Sequence, residues 1–161
     1  MRIFHGSVVE VHNPSLRYGR DNTDFGKGFY TTTNKEQAEH WAKIRKERAK
    51  ANKAVVSVYE IDDTILTEPI LNKRLFNGVD EAWLEFVVKC RKAQPHTYDI
   101  VFGPVANDNV FATVNLYENG VLDAPAAIAQ LRAYKTYDQL SFHTPRVIQA
   151  LRFIESYEVT K

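Results

Sequence analysis

Apolar residues recur three or four positions apart along two long segments of this chain, and this spacing predicts amphipathic helices. The segments are residues 35–51 and residues 80–92. Asn34, with Gln37 three residues later, is typical of a capped helix start and predicts where the first helix begins. Further helices are predicted to start at Asn107 or Asp108, at Asp123 with Pro125 in the first turn, and at Thr144 next to Pro145.

Strands are predicted in shorter segments that are either continuously apolar or alternate between apolar and polar residues. They begin with Ile3, include Tyr30 and Gln139, and cover residues 54–61, 98–105 and 151–159. Strands and helices do not alternate regularly along the chain, which favours a mixed sheet over a doubly wound parallel one. The hydrophobic pattern therefore predicts the α+β fold class.

Composition agrees with a single domain that spans residues 1–161. The chain is 44% hydrophobic and 25% charged, and at this length roughly two-thirds of the unfolded surface is expected to be buried around one core. The formal net charge of +1 gives no general attraction to nucleic acid or to an anionic membrane. There is no signal peptide and no apolar stretch near the ~20 residues of a membrane span, so we expect a cytoplasmic protein without a membrane partner.

Several residues that often carry chemistry are better explained by structure in this sequence. Cys90 is the single cysteine, which excludes an intramolecular disulfide, and its apolar helical neighbours favour a buried structural thiol. The basic run from Lys43 to Lys53 is interpreted as the solvated side of a helix rather than as a phosphate site. No metal site is expected, because His12, His40 and His96 have no partner at metal-ligand spacing.

The segment between residues 24 and 33 is the most informative in the chain. Gly26 and Gly28 flank Lys27, and Tyr30 follows within a run of aromatic and β-branched residues. Glycine permits a positive φ or a close approach of another group, whereas aromatic residues and threonine favour strands. The segment predicts a bend that brings Tyr30 to the start of a strand, where its ring can be presented to a flat ligand. An ordinary turn with a packed tyrosine is the alternative.

Polar residues at two other places complete a pattern. His5 and Gly6 end the first predicted strand. Near the C-terminus, Gln139, Ser141 and His143 alternate with apolar residues, so the period of two places all three on one face of a strand. Such a face is either solvated or lines a polar cleft. A histidine, a tyrosine and a late polar residue thus follow one another on three separate segments.

The order His5, Tyr30, Gln139 resembles the ADP-ribosyltransferase superfamily, whose members use His, Tyr and usually Glu on three successive segments of a split sheet. Whole blocks of sequence look like a bacterial family of uncharacterised domains assigned to that superfamily. The blocks are His-Gly-Ser at residues 5–7, Asp-Phe-Gly-Lys-Gly-Phe-Tyr at 24–30, and residues 98–106 and 138–144. The resemblance covers almost the whole chain and implies a split mixed β-sheet flanked by helices. It departs at Gln139, where the superfamily commonly has glutamate.

The resemblance implies that NAD is the substrate and that His5, Tyr30 and Gln139 are the catalytic residues. Tyr30 is expected to stack on the nicotinamide, the backbone of Gly6 to pair with its carboxamide, and His5 to hold a ribose hydroxyl. Gln139 is expected to bind the ribose 2′-hydroxyl, but without the negative charge with which glutamate stabilises the forming cation. Other residues assigned to NAD binding are Ser7, Gly28, Thr32, and Arg17 or Arg20.

Two of these assignments have an equally simple explanation. A guanidinium group matches phosphate oxygens, so Arg17 or Arg20 is expected at the pyrophosphate, although either also fits a polar surface loop. Thr32 follows Tyr30 closely and is expected to support the site, but ordinary packing within a strand explains a threonine at this position as well.

The function implied is that of an NAD-dependent ADP-ribosyltransferase or an NAD glycohydrolase. The acceptor of ADP-ribose is left open between protein, nucleic acid, a small molecule and water. A role as a bacterial toxin or phage-defence effector, with a cognate inhibitor protein as a further partner, follows from the resemblance alone. The alternative is a module that binds NAD, ADP-ribose or a protein without turnover, and a third reading is a structural domain in which His5 and Tyr30 bond each other in a core.

Overall fold

The structure is a computed structural model that describes residues 1–19, 23–104, 108–133 and 137–160. Within these ranges the chain forms seven strands and five helices. The strands are β1 (Arg2–Ser7), β2 (Phe29–Thr31), β3 (Val55–Glu60), β4 (Lys73–Leu75), β5 (Ile100–Pro104), β6 (Asp138–Phe142) and β7 (Arg152–Glu158). The helices are α1 (Lys35–Ala49), α2 (Glu81–Arg91), α3 (Asp108–Glu118), α4 (Ala124–Arg132) and α5 (Pro145–Ile148). The predicted α+β fold class is confirmed.

The strands form two sheets that meet at one point. The first sheet is antiparallel with the order β1-β3-β7, and the second has the order β2-β6-β5-β4, in which only the β4–β5 pair is parallel. At the junction, the N–H of Phe4 donates to the carbonyl of Thr32 at 2.8 Å and the N–H of Thr32 donates to the carbonyl of Phe4 at 2.9 Å. β1 and β2 are therefore neighbours that belong to different sheets.

Side-chain caps set the starts of three helices, and two of these caps, Asn34 and Asp123, were predicted. The side chain of Asn34 accepts a hydrogen bond from the N–H of Gln37 at 3.0 Å, so α1 starts as predicted. It ends at Ala49, two residues earlier than predicted, because Lys50 adopts the left-handed conformation with φ 51°. Asp80 and Asp123 likewise accept hydrogen bonds from the N–H groups three residues later, at Trp83 and Ala126. The initial boundary of α3 adjoins Asn107, which lies outside the described residues.

The core lies on both faces of the second sheet. On one face, Val101 packs with Phe25 and with fully buried residues of α2, among them Trp83 and Leu84. On the other face, Phe142 packs with Ile3 and other residues of the first sheet. The thiol of Cys90 is buried in α2, as predicted, and burial raises its pKa to about 12, so that it stays protonated at neutral pH.

Helix α1 packs directly on the first sheet, and a glycine makes this contact close. A Cβ atom built on Gly6 would lie 2.2 Å from the carbonyl oxygen of Ala38 and 2.9 Å from the nitrogen of Ala42. No side chain fits there, so the helix backbone rests on the strand backbone. Gly6 is therefore required by the packing of α1, a reason that the sequence does not disclose.

A buried carboxylate joins the end of β6 to the segment before β4. Asp99 accepts hydrogen bonds from the N–H of Asn72 at 2.8 Å, the hydroxyl of Thr144 at 2.5 Å and the guanidinium of Arg146 at 2.5 Å. The hydrogen bonds from Arg146 are the main reason that the pKa of Asp99 falls to about 2. The Thr144 hydroxyl thus bonds to Asp99 rather than to the first turn of α5, where a cap was predicted.

Candidate functional site

A cleft of about 920 Å³ opens beside the junction of the two sheets. It is bordered by four of the residues that the sequence assigned to NAD, which are His5, Ser7, Gly28 and Tyr30. His5 and Ser7 come from β1, whereas Gly28 and Tyr30 come from the glycine-rich bend and β2. The split between the sheets therefore brings together the first two of the three segments that the sequence analysis connected.

The imidazole of His5 links the two strands that wall the cleft. Its Nδ1 atom lies 2.7 Å from the carbonyl oxygen of Tyr30, and its ring stacks on Phe29 with the centroids 4.4 Å apart. Burial lowers the pKa of His5 to about 4, while the bond to Tyr30 opposes this shift and the charge of Arg45 adds to it. The ring is therefore neutral at pH 7.

This bond also determines which nitrogen of His5 carries the proton. A carbonyl oxygen can only accept, so the proton of the neutral ring must be on Nδ1. The Nε2 atom of His5 is then an acceptor, which suits a hydroxyl group of a ligand. The sequence reading in which His5 and Tyr30 bond each other is correct as to the residues, but the partner is the main chain of Tyr30 and not its phenol.

The Tyr30 hydroxyl stabilises the bend that precedes it. It accepts a hydrogen bond from the N–H of Phe25 at 3.1 Å, donates to the carbonyl of Gly26, and lies 2.9 Å from the hydroxyl of Thr23. The Thr23 hydroxyl also donates to the Gly26 carbonyl at 2.6 Å. Burial raises the pKa of the Tyr30 phenol, which keeps it a neutral donor. The half-buried ring thus borders the cleft while its hydroxyl is occupied with the backbone.

Two histidines bind the carbonyls on either side of Gly26. His96 donates from Nε2 to the carbonyl of Phe25 at 2.7 Å, because its Nδ1 accepts from the N–H of Tyr98. His143 donates from Nδ1 to the carbonyl of Lys27 at 2.8 Å. Together with the hydroxyl on Gly26, three successive carbonyls of the bend accept hydrogen bonds from side chains. The bend is therefore fixed from three other parts of the chain.

Gly28 lacks a side chain because His143 takes its place. A Cβ on Gly28 would lie 2.6 Å from Nδ1 of His143 and 2.8 Å from the carbonyl of Phe142. The other nitrogen of His143, Nε2, lies 2.8 Å from the hydroxyl of Ser141 and accepts from it. Burial lowers the pKa of His143 to about 4, with His96 acting in the same direction and the bond to Lys27 opposing it.

Five other residues assigned from the sequence are not part of the described lining of the cleft. Gly6 packs against α1. The hydroxyl of Thr32 accepts from the N–H of Asn34 at 3.0 Å and donates to the main-chain carbonyl of Asp138 at 3.1 Å, which is a packing role at the start of α1. Arg17 is exposed in a short turn. Arg20 lies outside the described residues. Gln139 is buried in β6.

The polar face predicted for β6 is neither solvated nor part of the lining of the cleft. Ser141 is fully buried, and Gln139 is 3% exposed opposite Gly103 of β5. Ser141 pairs with Val101, which belongs to the core, and the Nε2 atom of Gln139 has no hydrogen-bond partner among the described residues. The prediction that this face is solvated is wrong for Gln139 and Ser141, because the alternation shows which residues share a face but not what covers that face.

The structure adds three charged residues to the cleft that the sequence analysis did not assign. Arg45 and Arg48 border it from the last turns of α1, and Glu10 borders it from the loop after β1. Both arginines are exposed, as the reading of the basic run implied, yet they face the cleft. Their spacing of three residues places them on one side of the helix, which was the available signal. One carboxylate oxygen of Glu10 accepts from the hydroxyl of Ser156.

Comparison with known protein families identifies the family to which this chain belongs. A family described as "Protein of unknown function (DUF3990)" matches residues 1–153, and the chain belongs to that family. Comparison with curated proteins gives no match.

The described part of the chain lacks two further features, a helix that could span a membrane and a cluster of metal ligands. None of its helices combines the length and the apolar character needed to cross a bilayer. No three side chains of His, Cys, Asp or Glu in this part are grouped closely enough to hold a metal ion.

Proposed function

We propose that this protein is an ADP-ribosyltransferase-like enzyme that binds NAD in the cleft and cleaves the bond between nicotinamide and ribose. ADP-ribose is transferred to an acceptor molecule or to water. The observation that carries the proposal is the bond between Nδ1 of His5 and the Tyr30 carbonyl, which joins two strands of different sheets at the cleft. It leaves a hydroxyl acceptor, Nε2 of His5, beside an aromatic ring.

The two residues suit the two groups that flank the reacting bond. Nε2 of His5 accepts a hydrogen bond from a ribose hydroxyl. The ring of Tyr30 faces the cationic nicotinamide, and such a contact contributes roughly 0.5–2 kcal/mol depending on desolvation. Because the Tyr30 hydroxyl is bound to Phe25 and Gly26, the orientation of the ring is set before the ligand arrives.

The chemical step requires negative charge near the ribose. As the glycosidic bond breaks, its electron pair moves to the nicotinamide nitrogen, neutral nicotinamide leaves, and C1′ of the ribose becomes an oxocarbenium ion that the acceptor attacks. The proton of the acceptor then passes to a base or to solvent. Glu10 is the carboxylate that borders the described part of the cleft, and it is assigned to stabilise this cation. The role of Gln139 stays a prediction.

A second candidate is a module that binds NAD or ADP-ribose without turnover. Gln139 favours it, since this residue is uncharged, buried, and separated from the described lining of the cleft. The proposals on biological role remain those that the resemblance implies, namely a cytoplasmic bacterial effector with an acceptor and a cognate inhibitor as partners. Incubation with labelled NAD and cell lysate, followed by fractionation, identifies the class of acceptor.

The deciding experiment measures NAD binding and nicotinamide release by the purified protein. We expect binding below ~1 mM, release by the parent protein, and a loss of release of about 10-fold or more in Glu10→Gln. Glu155→Gln is the matched control, because Glu155 is exposed on β7 and is not among the residues that border the cleft. Binding with equal background release in all forms supports the module. Absence of both binding and release leaves only the structural role.

A further inference from the structure

We infer that the glycine-rich bend and the end of α1 form a subsite for a diphosphate group. The residues are Lys27 and Gly28, which supply main-chain N–H groups, and Arg45 and Arg48, which supply guanidinium groups. The inference deepens the function proposed above, because the identity of the ligand as a dinucleotide rests on that function. The anion site itself follows from the backbone geometry and the charges.

The direction of the two N–H groups follows from the carbonyls that precede them. The described chain has no cis peptide bond, and in a trans peptide the carbonyl of one residue points opposite to the N–H of the next. The carbonyl of Gly26 is held by the Tyr30 hydroxyl and that of Lys27 by His143. The N–H groups of Lys27 and Gly28 therefore point away from these side chains.

These two donors have no acceptor among the described residues. Neither the N–H of Lys27 nor that of Gly28 has a hydrogen-bond partner in the described ranges, although the N–H of Gly26 donates to Thr23 at 3.2 Å. Successive main-chain N–H groups that point to one side bind anions. Gly28 borders the cleft, whereas Lys27 is exposed next to it, so the inference places the ligand at the edge of the cleft beside the bend.

Gly19 keeps the amide of Gly28 accessible. It borders the same cleft, and a Cβ on Gly19 would lie 3.2 Å from the nitrogen of Gly28. Its backbone, with φ −71° and ψ 149°, is allowed for any residue, so conformation does not require glycine here. The absence of a side chain at Gly19 leaves space beside the amide of Gly28, whereas the backbone conformation does not need it.

The charge of the cleft favours the same class of ligand. Arg45 and Arg48 border it together with a single carboxylate, Glu10, in the described part of the chain. The positive charge of Arg45 also acts on His5 and lowers the pKa of its imidazole. Guanidinium groups match phosphate oxygens in geometry and charge. Two cations and two main-chain donors suit a diphosphate, which has several acceptor oxygens and two negative charges.

Calorimetric titration with three probes tests the site. The probes are inorganic pyrophosphate, ADP-ribose and nicotinamide riboside, of which only the last lacks phosphate. We expect the Arg45→Gln/Arg48→Gln variant to bind pyrophosphate and ADP-ribose about tenfold or more weakly, with unchanged binding of nicotinamide riboside. Lys43→Gln is the matched control, because Lys43 is on the same helix but is not among the residues that border the cleft.

A second variant tests the main-chain donors without changing charge. Gly19→Ala places a methyl group against the nitrogen of Gly28, so pyrophosphate affinity should fall by a similar factor. Gly78→Ala is its control, since a Cβ there would contact nothing within 4 Å. In amide-detected NMR of the parent protein, pyrophosphate should shift the Lys27 and Gly28 resonances, a result that does not depend on any variant.

The outcomes separate this inference from the proposed enzyme. Parent-like affinity for pyrophosphate in both folded variants overturns the subsite, as does a lack of amide shifts at saturating pyrophosphate or a parent protein that does not bind it. Weaker anion binding in both variants supports the subsite. If that result occurs in a protein that releases no nicotinamide and does not bind nicotinamide riboside, the subsite stands and the proposed cleavage of NAD fails.

Discussion

Nδ1 of His143 lies 2.6 Å from the position at which a side chain on Gly28 would begin. The imidazole and the missing side chain are complementary, because His143 uses this space to reach the carbonyl of Lys27. We predict that Gly28→Ala lowers the free energy of unfolding by about 1–3 kcal/mol, since neither the ring nor the Phe142 carbonyl can move freely. Chemical denaturation measures this loss, and a change as small as that of Gly78→Ala would contradict the prediction.

Acid should destabilise the protein through His5 and His143. Both have a folded pKa of about 4 against an ordinary value of 6.5, so the unfolded chain binds more protons between these limits. The contribution of the two neutral rings to the free energy of unfolding is fully present above about pH 6.5. It is lost as pH falls toward 4, by roughly 3 kcal/mol for each histidine. Denaturation at several pH values measures the slope. Ring resonances that titrate near 6.5 in the folded protein would refute the prediction.

The ion pair between Asp99 and Arg146 should matter more than the one between Glu60 and Arg152. The Asp99 side chain is 5% exposed, whereas the side chains of Glu60 and Arg152 are 43% and 70% exposed. We expect Asp99→Asn to lower the free energy of unfolding by about 2 kcal/mol or more at pH 7. Arg152→Gln should lower it by less than about 1 kcal/mol.

The advantage of the Asp99 carboxylate should disappear at low pH. Its folded pKa of about 2 lies below the ordinary 3.8, so its contribution is present above pH 3.8 and is lost as pH falls through 2. The difference in unfolding free energy between the parent protein and Asp99→Asn should therefore narrow over this range. A difference that stays constant down to pH 2 would show that packing, rather than charge, is responsible.

Substitutions of Tyr30 should separate the ring from the hydroxyl. Tyr30→Phe leaves the N–H of Phe25 without its partner, so unfolding free energy should fall by about 1–2 kcal/mol while the ring remains for nicotinamide. Tyr30→Ala removes the ring and should weaken NAD binding much further. Tyr117→Phe on α3 is a control for loss of a hydroxyl outside the cleft. Equal losses of NAD affinity in Phe and Ala, at matched folding, would assign recognition to the hydroxyl.

Gln139 can be tested in the same assay. If it orients the ribose, Gln139→Ala should reduce nicotinamide release about 10- to 1000-fold, which corresponds to about 1.4–4 kcal/mol of barrier. Gln139→Glu should increase release where its carboxylate is ionised, although burial favours the protonated acid. Release is therefore measured from about pH 6 to 9. Equal release by all three forms over this range would exclude Gln139 from catalysis.

The features that the sequence predicted well depend on local chemistry. Asn34 and Asp123 bond to N–H groups three residues away, and those contacts need nothing from the rest of the fold. Strand β4 was not predicted, because Lys73–Leu75 is short and polar and becomes a strand only by pairing with β5. Secondary structure of this kind depends on a distant partner that no local pattern contains.

The candidate site was likewise predictable only where it depends on local sequence. Glycine at position 28 and Tyr30 two residues later indicated a bend at a cleft, and both border one. The sequence could not show that Arg45 faces the cleft, because an exposed helix face looks the same beside a cavity and beside open solvent. Nor could it show that Gln139 is covered, since its burial depends on the way the strand pairs and packs with distant segments such as β5.

Close packing at Gly6 limits how this cleft can change. The residue directly follows His5 in β1, and its backbone contacts α1 at Ala38, so the imidazole and Arg45 are carried by two elements in main-chain contact. No intervening side chain can be lengthened or shortened to alter their separation. On the proposed assignments, main-chain packing therefore fixes the distance between the sugar hydroxyl at His5 and the phosphate at Arg45. A relative that binds a longer molecule should then place α1 differently.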